Sequence, residues 1–289
     1  MTLDYHVVDV FTDRAFAGNP LAVVLGGDHL STEQMQAIAS EFNLSETTFP
    51  VPPTTGDATY RLRIFTPASE LPFAGHPSVG TAWLLRSLGR VDGGRVVQEC
   101  GAGLLPLQVD ERGATLTGGP PRVGEPLDVG PFCAAVGLDA ADAVGTPVRW
   151  SGTGLDWAYL HVHEDAVRRA RPVPSLVDAF ADPAGAARAG ICVVAWSADG
   201  RARSRVFGGG VGVAEDPATG SAALGLGGWL VASGLVAGDG ESAYRIEQGA
   251  EIGRPSQLSG TVVARDGRPV ECRVTGSVVA VAQGRIAVP

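Results

Sequence analysis

The sequence is short of charge, of basic charge in particular, and of cysteine, and it has no long apolar run. Only 18% of its 289 residues are charged, and 22 basic against 31 acidic side chains leave a formal net charge of -9. With a pI near 5.0 such a chain has no attraction for polyanions. That sets aside nucleic acid and anionic membrane as default partners and leaves a small molecule. The four cysteines, Cys100, Cys133, Cys192 and Cys272, are far apart and form no C-x-x-C, so neither zinc nor iron-sulfur ligation is indicated and reduced thiols are expected. No apolar run reaches the ~18 residues of a membrane span. The opening Met1-Thr2-Leu3-Asp4-Tyr5-His6 has neither the basic region nor the apolar core of a signal peptide, so a cytoplasmic location is expected.

What the chain does have is apolar material, 45% of residues, enough for two cores of ordinary size, punctuated by 40 glycines and 20 prolines. This composition predicts many short strands with tight connections. Residues 5–11 and 20–25 are β-branched runs about Gly18-Asn19-Pro20, a hairpin-like pair. Ser31 opens a helix with Gln34 as its capping-box partner, Met35, Ile38, Ala39 and Phe42 share one face, and Asn43 suits its end. Strands are predicted at 44–49, 60–65, 95–100, 104–109, 157–163, 191–196, 203–207 and 270–283, and helices at 77–88, 178–189 and 221–234. The stretch Gly118-Gly119-Pro120-Pro121 through Pro126 reads as the linker. It divides an N-terminal lobe, 1–124, from a second lobe, 125–278, with the last strand, about 279–289, a candidate to cross back.

An internal echo supports two similar lobes. Arg63-Ile64-Phe65 is followed by His76-Pro77-Ser78-Val79-Gly80-Thr81-Ala82, and Arg205-Val206-Phe207 by Asp216-Pro217-Ala218-Thr219-Gly220-Ser221-Ala222. In this register His76 and Asp216 match, each before a proline, and both read as N-caps of helices with small residues in the first turn. The free N–H groups of such a turn can hold a carboxylate or an enolate-like oxygen. Asp-Pro alone is an ordinary helix start, but its duplication, and histidine as a poor cap, point to function at these loops. Glu46, in Ser45-Glu46-Thr47-Thr48, reads first as a solvated strand residue when taken alone, as does Glu70 after Ser69.

Several stretches together resemble the PhzF family of phenazine-biosynthesis-like isomerases. They are Val10-Phe11 through Gly18-Asn19-Pro20 and Val23-Val24, Ser45-Glu46-Thr47-Thr48-Phe49, Arg63-Ile64-Phe65-Thr66-Pro67, Glu70-Leu71-Pro72-Phe73-Ala74-Gly75-His76, Glu215 through Ala222, and Gln248-Gly249 with Gly253-Arg254-Pro255-Ser256. The resemblance implies an α+β fold of two pseudo-symmetric lobes like diaminopimelate epimerase, each a sheet wrapped around a central helix, with the active site in the cleft between them. It further implies that Glu46 is the base that moves a proton between carbons of a substrate like trans-2,3-dihydro-3-hydroxyanthranilate, a carboxylate-bearing small molecule. His76, Asp216 and Ser221 would line the same cleft, and Asn19, Ser45, Gly75 and Gly220 in the motifs are candidates for substrate contact. No cofactor and no metal are implied, and a homodimer is expected.

The sequence departs from the family at Gly208-Gly209-Gly210, at Val274-Thr275-Gly276-Ser277, and at Ala74, where a cysteine is frequent. An unperturbed glutamate, with a pKa of ~4.3, is too weak a base for carbon, so Glu46 must be lifted by burial or by a neighbouring carboxylate such as Asp216. The rivals are an epimerase or racemase on the same fold, which would need a cysteine in each lobe, and a non-catalytic binding relative. His161-Val162-His163-Glu164 supplies two imidazoles on alternate positions but no third metal ligand. A serine-hydrolase elbow and a G-x-G-x-x-G dinucleotide loop are both missing, and Gly101-Ala102-Gly103 and Gly208–Gly212 read as turns.

Overall fold

The structure is a computed structural model that describes residues 1–180, 188–208 and 213–289. It divides into two compact units, Met1–Thr117 with Thr275–Pro289, and Gly118–Val274. The division falls at Thr117/Gly118 and not at 124/125, and the chain re-enters the first unit at Thr275 and not at about 279. The expected linker is therefore part of the second unit. Its Gly118 N–H donates to the Cys272 carbonyl at 3.0 Å, and Arg122–Val123 forms a short strand.

The first unit contains β1 (Thr2–Val10), β2 (Asn19–Val24), α1 (Thr32–Phe42), β3 (Glu46–Val51), β4 (Tyr60–Phe65), β5 (Glu70–Leu71), α2 (Gly75–Ser87), β6 (Gly94–Cys100), β7 (Gly103–Val109) and β8 (Gly113–Thr117). β1 and β2 pair antiparallel, as the two apolar runs about Gly18-Asn19-Pro20 predict. Ser31 caps α1 with the full capping box and Asn43 closes it in the left-handed conformation, φ 49°. Met35, Ile38 and Ala39 bury the inner face of α1 against Leu3, Val24, Phe49 and Phe65. The other helix, α2, packs on β1, β2, β3, β7 and β8 and is the unit's centre. Strand β3 lies between the two helices. Alternation sends Phe49 toward α1, while Thr48 on the opposite face meets Thr81 of α2, Oγ1 to Oγ1 at 2.9 Å.

The second unit contains β9 (Arg122–Val123), α3 (Gly130–Ala135), β10 (Arg149–Gly152), β11 (Asp156–His161), α4 (Glu164–Arg169), α5 (Pro174–Asp178), β12 (Arg188–Ser197), β13 (Arg201–Gly208), β14 (Val213–Asp216), α6 (Gly220–Ala232), β15 (Gly240–Gln248) and β16 (Ser256–Arg265). The last strand, β17 (Arg268–Ala287), begins here and ends in the first unit, where it pairs antiparallel with β1 from Val278 to Ala287. The central helix is α6, packed on β9, β10, β11 and β16. Most of the helix predicted over 178–189 falls on 181–187, outside the described residues. At its flanks α5 has already ended at Asp178, and Arg188 and Ala189 open β12 instead. Among the described residues no helix is long and apolar enough to cross a membrane.

Both units are thus α+β, each with strands packed on a central helix of 13 residues. Close approach is built into both helices at the same place, the sixth residue. A Cβ on Gly80 would stand 2.7 Å from Leu21 and from Val10, and one on Gly225 would stand 2.5 Å from the Tyr159 hydroxyl.

Candidate active site

Glu46 opens β3, which runs parallel to β2 with Leu21 opposite Glu46. The alternation that turns Thr48 to α2 turns Glu46 the same way, so its carboxylate meets the first turn of α2. Glu46 Oε2 lies 3.5 Å from His76 Nδ1, and the Glu46 side chain is only 13% exposed. Burial pushes the His76 imidazole down to about 3, outweighing a hydrogen bond to the Pro20 carbonyl that favours its charged form. His76 is therefore neutral at physiological pH, and its 3.5 Å contact with Glu46 is a close approach and not an ion pair. Pro20 follows Asn19, the buried first residue of β2. Asn19, Glu46 and His76 thus come from neighbouring elements of one unit, with half-buried Ser45 just before Glu46 and Gly75 as the first residue of α2.

His76 is not the helix cap. Ala74, in extended backbone, holds that position, and His76 and Pro77 are the second and third helical residues. Proline is acceptable there because first-turn N–H groups have no intrahelical partner. Asp216 is not the cap of α6 either: it ends β14, and Thr219 is the N-cap. The Thr219 hydroxyl donates to Asp216 Oδ2 at 2.6 Å, and the Gln248 side-chain amide donates to the Asp216 carbonyl at 2.7 Å. Gly220 and Ser221 are the first two residues of α6, and the Trp157 indole donates to Ser221 Oγ at 3.0 Å.

These placements correct the register of the internal echo. Helices α2 and α6 both start on glycine, so Gly75 corresponds to Gly220 and His76 to Ser221, a shift of five residues. The strand pairing agrees, with Ile64 opposite Leu71 and Val206 opposite Asp216. Glu70 then corresponds to Glu215, and each makes a two-pronged ion pair with the arginine of the Arg-x-Phe strand, Arg63 or Arg205. The shared motif is Glu-x-Pro-x-x-Gly, residues 70–75 and 215–220. It was present in the sequence, but the competing match of 76–82 to 216–222, with as many identities, concealed it.

The residues before the helix-opening glycines are Ala74 and Thr219, so neither helix start carries a thiol. All four cysteines are free and buried elsewhere. The sequence reading singled out neither Thr219 nor Trp157, and it quoted Gln248 only within a motif. Their contribution depends on strands distant in sequence. His161 and His163 are placed differently: His161 is buried at the end of β11, with Nδ1 2.9 Å from Thr146 Oγ1, whereas His163 is exposed at the start of α4. A cavity of about 300 Å³ lined by both histidines, Glu164, Arg203 and Glu247 contains none of the predicted site residues. Of the two glycine turns, Gly101-Ala102 closes the β6–β7 hairpin, while 209–212 lies outside the described residues.

Two α+β units, each built on a central helix, give this chain the two-unit fold of the diaminopimelate epimerase-like proteins. A hydroxyproline epimerase from Agrobacterium vitis shows the same fold, with a TM-score of 0.65 at 17% identity over 99% of this chain and 93% of that one. The chain belongs to the PhzF family: a family model described as phenazine biosynthesis-like protein matches residues 8–284. The PhzF-family phenazine biosynthesis protein of Bacillus anthracis has a TM-score of 0.85 at 25% identity, covering 100% of both chains. An uncharacterised isomerase of Mesorhizobium japonicum is 36% identical over 99% of each chain. A trans-2,3-dihydro-3-hydroxyanthranilate isomerase of Pseudomonas chlororaphis is 34% identical over 98% of each. The chain is accordingly an isomerase.

Proposed function

We propose that this isomerase moves a proton between carbons of a small carboxylate- or amino-acid-like substrate, of the kind named for its Pseudomonas chlororaphis relative, without a cofactor and with Glu46 as the acid and base. The observation that carries the proposal is the 3.5 Å approach of the Glu46 carboxylate to a neutral, buried His76. A neutral imidazole beside the carboxyl group does not neutralise it as a cation would, which leaves the carboxylate as the proton acceptor. Glu46 takes a proton from one carbon, the electron pair delocalises into the conjugated carboxylate as an enolate-like intermediate, and the same carboxyl group returns the proton to a different carbon. Atoms and charge balance over the cycle.

In this reading the first-turn N–H groups at Gly75 and Gly220 and the side chains of Asn19, Ser45, Asp216 and Ser221 hold the substrate and its developing charge. The absence of thiols at Ala74 and Thr219 weighs against a two-cysteine racemase or epimerase, since inversion needs an acid and a base on opposite faces.

The test is proton NMR in D2O of trans-2,3-dihydro-3-hydroxyanthranilate with the wild type and with Glu46→Gln. Isomer formation and deuterium incorporation by the wild type, slowed roughly 10²-fold or more in the variant, are expected. Equal turnover by the two removes Glu46 from the mechanism. Inertness of both proteins excludes this substrate.

A further inference from the structure

The Trp157 indole and Ser221 Oγ form a buried hydrogen bond of 3.0 Å within the second unit. Trp157 is fixed in the middle of the sheet, with Ser151 of β10 on one side and Gly190 of β12 on the other. An indole N–H can only donate, so Ser221 must act as the acceptor in this pair. Its single hydroxyl proton remains to be placed. A serine in a helix commonly returns that proton to the carbonyl four residues back, as Ser78 does to Ala74 at 2.9 Å. Ser221 makes no such bond, and among the described residues its proton has no acceptor.

We infer that Trp157 is a positioning residue that fixes Ser221 as a hydrogen-bond donor, so that the start of α6 takes an acceptor group of the substrate, a carboxylate or carbonyl oxygen, in preference to an ammonium group. This inference rests on the proposed placement of Ser221 at the substrate. The Trp157 bond pins Oγ and takes one of its two acceptor lone pairs. A cationic donor arriving there would share Oγ with an N–H already in place and leave the hydroxyl proton unplaced, whereas an anionic oxygen takes a proton that has no acceptor among the described residues. Burial of both partners makes the polarity costly to reverse.

Trp157→Phe keeps an aromatic ring and deletes only the N–H, and Ser221→Ala deletes the hydroxyl. Each is expected to raise KM about tenfold with a smaller change in kcat, the size of one hydrogen bond to a charged group. The double variant should be no worse than Ser221→Ala alone, because Trp157 acts only through Ser221. Effects that multiply, or a Trp157→Phe enzyme with unchanged KM, overturn the inference. The bond itself is read without turnover: the 15N-indole signal of Trp157, identified by its loss in Trp157→Phe, should move upfield in Ser221→Ala, and an unmoved signal also overturns it.

Failure of the functional reading shows separately, in the Glu46→Gln comparison. If the dihydroanthranilate is then neither turned over nor bound, calorimetry with benzoate and benzylamine reads the donor assignment. Benzoate should bind the wild type and weaken about tenfold in Trp157→Phe, with benzylamine failing to compete. Preference for benzylamine, or no binding of benzoate, overturns the assignment.

Discussion

Gln248 and Thr219 hold each other by two hydrogen bonds in opposite directions. The Thr219 N–H donates to Gln248 Oε1 at 3.3 Å, and Gln248 Nε2 donates to Thr219 Oγ1 at 3.0 Å. The same Nε2 donates to the Asp216 carbonyl, so one buried amide fixes both ends of the turn that carries Asp216 into α6. The first unit has its counterpart in Gln98 on β6, whose Nε2 donates to Ser78 Oγ at 2.9 Å, which in turn donates to the carbonyl of the α2 cap, Ala74. Gln248→Leu should therefore lower stability by about 1–3 kcal/mol, the cost of buried polar groups left unpaired, and reduce kcat/KM by about tenfold through the loosened turn. Urea unfolding and steady-state kinetics measure both. A variant as stable and as active as the wild type removes the amide from the site's support.

The two arginine–glutamate pairs share one geometry and differ in burial. Arg63 and Glu70 are 16% and 37% exposed, whereas Arg205 and Glu215 are 5% and 12% exposed, and Arg205 also donates to the Ala170 carbonyl at 2.6 Å. Glu70→Ala is expected to cost no more than about 1 kcal/mol. Glu215→Ala leaves a buried guanidinium without its carboxylate and should cost about 3–5 kcal/mol. Equal losses in chemical denaturation would show that burial does not govern these pairs.

Much of this architecture is legible in the sequence because it is local. Ser31 and Gln34 specify the start of α1, and the alternation in Tyr60–Phe65 specifies a half-buried strand. The helix starts at Gly75 and Gly220 were harder to place, because neither N-cap makes a side-chain capping bond. Without that signal, the prolines at 77 and 217 invite a common register that the observed helix starts and the strand pairing correct. Trp157 and Gln248 were beyond reach for a different reason: each meets its partner across 64 or 29 residues of sequence. Of the site itself, the motifs showed which residues to watch, and the face of β3 that brings Glu46 to His76 follows from the alternation of Thr48 and Phe49.

The mid-helix glycines give a prediction in which two effects oppose. Alanine is favoured over glycine in a helix by about 1 kcal/mol. At Gly80 the new Cβ meets the ends of the Leu21 and Val10 side chains, which can shift slightly, whereas at Gly225 it meets the Ser151 carbonyl at 2.6 Å and the Tyr159 hydroxyl. Gly225→Ala is expected to destabilise by at least about 2 kcal/mol and Gly80→Ala by less, since only Gly225 is closed in by backbone. Thermal unfolding of the two variants compares them, and a Gly225→Ala protein as stable as the wild type contradicts the close packing of α6 on β10.

The buried His76 makes stability depend on pH with a definite sign. Its folded pKa, about 3, lies below the value of 6.5 for a free imidazole, so between those limits the unfolded chain binds the proton that the folded chain refuses. Its contribution to stability is fully present above about pH 6.5 and is lost as the pH falls toward 3, at up to about 1.4 kcal/mol per unit. His76→Asn should flatten this part of the profile, measured by urea unfolding at pH 7, 6, 5 and 4. Over the same range the imidazole stays neutral in the folded enzyme, so the acid limb of kcat/KM belongs to another group and should survive in His76→Asn even as the rate falls. An acid limb that disappears with His76 would instead assign the titration to the imidazole, and would mean that its burial is relieved when substrate binds.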